Sequence, residues 1–168
     1  MMKESRIGLV LIEDEPMSRK MITKRLKKNP FLNVFSFSTG EECYRSYNGN
    51  PDILITDYFL SDYSRTGVNG LDFSYLFPGV NKVLISGSSM NDLKGQAKKN
   101  GFIAYLYKDI DFNVKLSQVI DKLVEDIRNP KRRIIQGKSR LVLSTIVFAV
   151  LVLVLLFLLG STFYKFFW

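Results

Sequence analysis

Acidic, hydroxylic and basic side chains stand directly after four short apolar runs, and together they suit one kind of chemistry. Glu13 and Asp14 follow Ile7–Ile12. Asp57 follows Ile53-Leu54-Ile55-Thr56. Ser86 follows Val83-Leu84-Ile85, with Gly87 behind it, and Lys108 closes the run Phe102–Tyr107. Three converging carboxylates repel one another and have raised pKa values unless a cation sits among them. An all-oxygen, half-open ligand set suits Mg2+, which keeps several waters and is readily shared with phosphate. A lysine opposite the acids supplies a compact positive charge for phosphate oxygens, and a hydroxyl beside it can donate a further hydrogen bond. Such a set serves phosphoryl transfer onto a carboxylate, giving an aspartyl-phosphate, where catalysis is mostly positioning and charge neutralisation. Each residue alone has an ordinary reading. Asp57 alone is a turn former, and Glu13-Asp14-Glu15 alone are acids favoured by a helix dipole. The combination at successive strand ends carries the argument.

The elements that must position them are legible in the apolar periodicity. Ile7–Ile12 reads as a first strand, after which Pro16 opens a helix at a position where its missing N–H costs nothing. Met21, Ile22 and Leu26 form its expected inner stripe, with Arg19, Lys20, Lys24 and Arg25 toward water; Asn29-Pro30 ends it. Residues 33–38 alternate as a half-buried strand. Thr39 to Glu42 turns into a short helix that Gly49-Asn50-Pro51 breaks. Ile53–Ile55 reads as a buried parallel strand. A loop from Ser61 to Gly70, a short helix near 71–77, a fourth strand over 82–86 and a mostly polar helix over 91–99 come next. A fifth strand over 102–107 leads to a last helix from about 111 to 128, with Phe112, Leu116, Ile120, Leu123 and Ile127 as its apolar face. Five strands alternating with five helices imply an α/β fold, a doubly wound five-stranded parallel sheet. Right-handed crossovers bring the strand carboxyl ends to one edge, where open sheets bind ligands.

Composition narrows the function classes. The 168 residues include no histidine, which removes histidine-based triads and histidine-bearing zinc sites. Cys43 is the only cysteine, so no internal disulfide forms and no cysteine cluster holds metal. The net charge of +8 is local: all 16 acidic residues precede residue 128, whereas Arg128, Lys131, Arg132, Arg133, Lys138 and Arg140 crowd into 13 positions. Directly after that block, the 19 residues from Leu141 to Leu159 carry only Ser144 and Thr145 as polar side chains. At about 1.5 Å per residue this makes roughly 28 Å of helix, close to the hydrocarbon thickness of a bilayer. The expected organisation is a domain over 1–128, a basic juxtamembrane linker over 129–140, one C-terminal transmembrane helix over 141–160 and a short aromatic tail over 161–168. The positive-inside rule places the domain in the cytoplasm and the tail beyond the cytoplasmic membrane.

Over about residues 5–127 the chain resembles the response-regulator receiver domains of two-component systems. The resemblance rests on Val10-Leu11-Ile12-Glu13-Asp14-Glu15-Pro16, Ile53-Leu54-Ile55-Thr56-Asp57, Asn69-Gly70, Val83-Leu84-Ile85-Ser86-Gly87 and Tyr105-Leu106-Tyr107-Lys108, in family order. It implies a flavodoxin-like fold, Asp57 as phosphoacceptor, Asp14 as a direct Mg2+ ligand, Glu13 as a ligand through water, and the Phe59 backbone carbonyl as a further ligand. Ser86 would reorient toward the phosphoryl group, Lys108 would pair with it, and Tyr105 would turn inward on activation. The output surface would be the fourth helix, fifth strand and fifth helix. Two departures stand out. Asp109 replaces the proline usual after the lysine, which predicts a trans peptide there and adds a carboxylate that would pull on Lys108. Ser61 replaces a second usual proline in a long loop, with Gly70 thirteen residues beyond Asp57.

The implied function is a membrane-anchored, stand-alone receiver, not an enzyme in its own right. It would take a phosphoryl group from a histidine kinase or phosphotransfer protein and act through a membrane or cytoplasmic effector, with a homodimer as one form of output. The bilayer is itself an expected partner, since each basic residue near anionic lipid is worth about 1 kcal/mol. The alternative is a pseudo-receiver that is never phosphorylated and serves as a membrane-tethered binding scaffold. Nucleic-acid binding is not expected, because the basic residues abut the apolar stretch.

Overall fold

The computed structural model describes residues 6–60, 69–88 and 92–130. Five strands, β1 (Ile7–Ile12), β2 (Leu32–Phe37), β3 (Ile53–Asp57), β4 (Asn81–Ser86) and β5 (Phe102–Tyr107), form one sheet in the order β2-β1-β3-β4-β5. Every neighbouring pair is parallel. The helices are α1 (Pro16–Leu26), α2 (Gly40–Ser46), α3 (Gly70–Phe73) running into a 3-10 turn (Ser74–Leu76), α4 (Leu93–Lys99) and α5 (Phe112–Arg128). This is the doubly wound parallel sheet expected from the sequence.

β3 is buried at all five positions and β1 at five of six, as central strands covered on both faces require. Successive side chains alternate between the faces. Val10, Ile12 and Leu54 pack with Cys43 of α2 and Phe73 of α3. Farther along the sheet, Leu84 and Phe102 pack with Leu71, Leu93 and Ala97. α1 and α5 are tied by Arg25 Nε donating to Ser117 Oγ at 2.6 Å and Asn29 Nδ2 donating to Asp121 Oδ1 at 3.0 Å.

Two details of the expected faces differ. Met21 is 57% exposed, while Ile22 and Leu26 are buried. At 100° per residue only the pair spaced by four shares the inner face, so Met21 rotates out. In α5, Val124 is buried where Ile127 was expected; Ile127 is half-buried. The short helix after the long loop is one α-turn followed by a 3-10 turn, and the polar helix begins at Leu93.

The chain divides into two compact units, Met1–Val124 and Glu125–Trp168, the second described only over residues 125–130. Among the described residues no helix is long and apolar enough to cross a membrane. The expected transmembrane helix over 141–160, its aromatic tail and all but Asn129 and Pro130 of the linker lie outside the described residues, as do loop residues 61–68.

Candidate functional site

The carboxyl ends of β1, β3, β4 and β5 meet at one edge. β1 runs into Glu13, whose N–H donates to the Phe37 carbonyl at 3.1 Å, so the acid turn is held to β2 at its start. The three consecutive acids then do different things. Glu13 is fully buried and Asp14 half-buried, whereas Glu15 is exposed and caps α1, accepting from the Met17 N–H at 2.9 Å and from the Ser18 N–H. Those backbone hydrogen bonds, from Ser18 first and Met17 second, hold the Glu15 carboxyl below its ordinary pKa.

Glu13, Asp14 and Asp57 each offer one carboxylate oxygen, and these oxygens all lie within 4.8 Å of one another. Into this cluster reaches Lys108 from the end of β5. Its Nζ lies 2.6 Å from Glu13 Oε2 and 2.5 Å from Asp57 Oδ2. The Lys108 N–H donates to the Ser86 carbonyl at 2.8 Å, which continues the β4–β5 ladder one residue past the end of β5 and holds Lys108 at the sheet edge. Burial would lower the Lys108 pKa, but the hydrogen bonds and charges of Asp57 and Glu13 outweigh it and raise it. For Glu13 the balance runs the other way. Burial is the largest influence and raises its pKa, the Lys108 hydrogen bond opposes that rise, and the Asp57 charge adds to it.

The donor set fits a small hard cation. All candidate ligands are oxygens, and an ion holding oxygens at about 2.0–2.1 Å keeps them roughly 3–4 Å apart, slightly inside the 4.8 Å span. Lys108 uses one oxygen each of Glu13 and Asp57. Glu13 Oε1 is buried without a hydrogen-bond partner; the nearby Ser18 hydroxyl favours the charged form of Glu13 but closes no hydrogen bond to that atom. A buried carboxylate oxygen in that condition is costly unless a cation faces it.

The other expected site residues fall around this cluster. The Phe59 N–H approaches Asp57 Oδ1 at 3.4 Å, which keeps the Phe59 backbone beside the phosphoacceptor candidate. Ser86 is fully buried, one position beyond Ile85, the register partner of Asp57. No hydrogen bond joins Ser86 to Asp57 among the described residues; Ser86 Oγ instead accepts the Ser88 N–H at 3.1 Å. Tyr105 lies in register with Leu84, and its hydroxyl donates to the Ser88 carbonyl at 2.9 Å. Burial, then the Tyr107 charge, raises the Tyr105 pKa, which keeps its hydroxyl a donor at neutral pH.

Three residues carry more than the sequence suggested. Ser88 links Ser86 to Tyr105, donating its N–H to one and accepting at its carbonyl from the other, and nothing in a Ser-Gly-Ser-Ser run distinguishes it. Arg19, expected to face water, is half-buried, and its Nη1 donates to the Glu13 and Asp14 carbonyls at 2.6 and 2.9 Å. Gly70 packs so closely under β3 that a Cβ there would lie 1.9 Å from the Asp57 carbonyl oxygen and 2.7 Å from Thr56 Oγ1. The Gly70 N–H donates to the Tyr58 carbonyl at 3.1 Å, and an Asn69–Asp72 capping box holds it there. The Asn69-Gly70 pair was visible as a motif, but its reason is this close approach.

Asp109 does not pull on Lys108. It pairs with Lys115 at 2.6 Å and accepts the Asp111 N–H at 3.1 Å, organising the start of α5. Lys108 is already claimed by two buried or nearly buried carboxylates, and Lys115 lies within reach on the first turn of the helix. No peptide bond among the described residues is cis, so Lys108–Asp109 is trans as expected.

No protein-family profile matches the sequence, and no curated protein matches it. Solved structures do match the fold, response-regulator receiver domains among them. A LuxR-family two-component response regulator from Aurantimonas sp. SI85-9A1 is 21% identical, with a TM-score of 0.59 over 71% of this chain and 86% of that one. A response-regulator receiver domain protein from Clostridium thermocellum is 21% identical, with a TM-score of 0.58 over 73% of this chain and 97% of that one. The BeF3-activated DrrB receiver domain is 18% identical, with a TM-score of 0.59 over 71% and 98%. At these identities the likeness establishes the fold.

Proposed function

We propose that the chain acts as a receiver of two-component signalling that accepts a phosphoryl group on Asp57. The donor would be a phosphohistidine of a histidine kinase or phosphotransfer protein. The observation that carries this reading is the convergence of Asp57, Glu13, Asp14 and Lys108 at the carboxyl edge of a receiver-type sheet. In the transfer, the donor's P–N bond breaks, a P–O bond to an Asp57 carboxylate oxygen forms, and the imidazole leaves with a proton.

Glu13, Asp14, Asp57 and the Phe59 carbonyl would hold Mg2+, which when bound supplies positive charge to the phosphoryl oxygens. Lys108 exchanges its bond to Asp57 Oδ2 for one to the incoming phosphoryl oxygens while keeping its bond to buried Glu13, so its charge stays in place. Ser86, freed from the Ser88 N–H, donates its hydroxyl to the phosphoryl group. Because Ser88 bonds Ser86 on one side and Tyr105 on the other, losing Ser86 releases Ser88 and, with it, the hold on the aromatic of β5. The changed surface there is the output, read by an effector or a second copy of the chain. Residues 141–160 anchor the protein in the cytoplasmic membrane, with the receiver on the cytoplasmic side, where tethering raises its effective concentration near membrane kinases.

The test uses the full chain in detergent micelles, incubated with Mg2+ and a small acyl phosphate. Mass spectrometry of the intact protein is expected to show one added phosphoryl group, absent from Asp57→Asn. No adduct, under conditions that label a known receiver, overturns phosphotransfer in favour of a scaffold. Anchoring is checked separately: the chain is expected to stay with membranes through alkaline carbonate washing, and release would remove the anchor.

A further inference from the structure

We propose that Arg19 is a positioning residue that fixes the acid pair for divalent-ion binding, an inference that rests on the phosphoryl-site reading above. One guanidinium nitrogen of Arg19 donates to both the Glu13 carbonyl, at 2.6 Å, and the Asp14 carbonyl, at 2.9 Å. These are the two peptide units from which the candidate ligands project. The same turn is pinned at its start by the Glu13 N–H on the Phe37 carbonyl and at its far end by the Glu15 cap on α1. Arg19 supplies the middle restraint. Backbone orientation sets the direction in which each Cα–Cβ bond leaves the chain, so bracing both carbonyls sets where both carboxylates point. A planar, always-charged guanidinium suits this better than a flexible ammonium.

The charge of Arg19 would act against this role. A fixed positive charge beside the acid turn repels a second cation. If Arg19 acted only through charge, removing it would tighten divalent binding. If it acts by bracing the turn, removing it loosens binding. The two roles therefore have opposite signs.

Mn2+ serves as the probe, its free concentration read by electron paramagnetic resonance against the full chain in micelles. Arg19→Met, which keeps the stem and loses the donors, is expected to bind Mn2+ about tenfold more weakly, the low end for losing a partner that orients ligands. Arg19→Lys, which restores charge and a donor, recovers most of that loss. Lys20→Met removes an equal charge from an exposed position on the same helix and leaves affinity unchanged or tighter. Should Arg19→Met lose its folded circular-dichroism signal, Arg19→Gln, neutral and shorter, gives the same comparison. Equal or tighter binding by the neutral Arg19 variants, or an equal loss in Lys20→Met, overturns the role of Arg19 alone. Absence of saturable Mn2+ binding by the wild-type chain, or full binding by Asp14→Asn, overturns the site reading and this inference with it.

Discussion

The turn after β1 and the turn after β5 both deliver a charged side chain to the same cleft, and they are built by different means. In the first, Glu13 is fixed by restraints on its backbone: a strand neighbour, the Arg19 clamp and the Glu15 cap. In the second, the Lys108 N–H donates to the Ser86 carbonyl, and its side chain is held by charge-assisted hydrogen bonds to Glu13 and Asp57. Beyond it, Ile110 is 96% exposed and Asp109 turns away to Lys115. The comparison teaches that the acids are the rigid half of the site and the lysine is the half free to change partners. The proposed phosphotransfer uses that asymmetry, because the metal ligands would stay while the counter-charge moves from carboxylate to phosphoryl oxygen.

The largest way to break the comparison is Lys108→Met. It leaves Glu13 buried beside Asp57 without a counter-charge, and removing one partner of a buried pair costs about 3–5 kcal/mol. Urea unfolding at pH 8 is expected to show a loss near the lower figure, because Lys108 keeps some contact with solvent. The loss shrinks as the pH is lowered, because Glu13, whose pKa burial raises, takes up a proton sooner than an ordinary carboxylate.

Gly70→Ala strikes the rigid half from below. A methyl group inside contact distance of the Asp57 carbonyl must displace β3 or α3, at about 1–3 kcal/mol. The same variant is expected to slow labelling by an acyl phosphate. Labelling at the wild-type rate would mean that the end of β3 yields without moving Asp57.

The wild-type chain in chelator gives a third test. The folded-state pKa of Glu13 lies above its ordinary value of 4.5, so the native state binds more protons than the unfolded chain in the window above that value. Stability contributed by Glu13 therefore falls as pH rises from about 4.5 through the raised pKa. Mg2+ is expected to flatten this fall, and an unchanged urea midpoint with Mg2+ at pH 8 would count against the cation fit.

Smaller effects sharpen the contrast on the β5 side. Tyr105→Phe removes the bond to the Ser88 carbonyl and is expected to cost about 1 kcal/mol, with labelling of Asp57 retained. Lys115→Met breaks only a pair that is partly open to solvent, and the unfolding midpoint is expected to move little. A clear drop there would show that the Asp109–Lys115 contact holds the lysine-bearing corner after all.

The sequence by itself determined the parallel sheet and the gathering of Glu13, Asp14, Asp57 and Lys108 at its edge. Apolar runs of strand length, alternating with amphipathic helices, admit few connections, and right-handed crossovers put every strand end on one side. Those rules act on the backbone and need no knowledge of distant contacts. Tertiary structure alone decided the parts that depend on which atoms meet across loops. Arg19 reads as a solvent-facing helix residue until its guanidinium is seen on two carbonyls five and six positions back. Ser88 gains its role from Tyr105, seventeen residues on, and Gly70 from its close approach to the end of β3. Asp109 reads as a rival for Lys108 until Lys115 is seen to hold it. A side chain's partner is chosen by packing, and packing joins positions that no local periodicity connects.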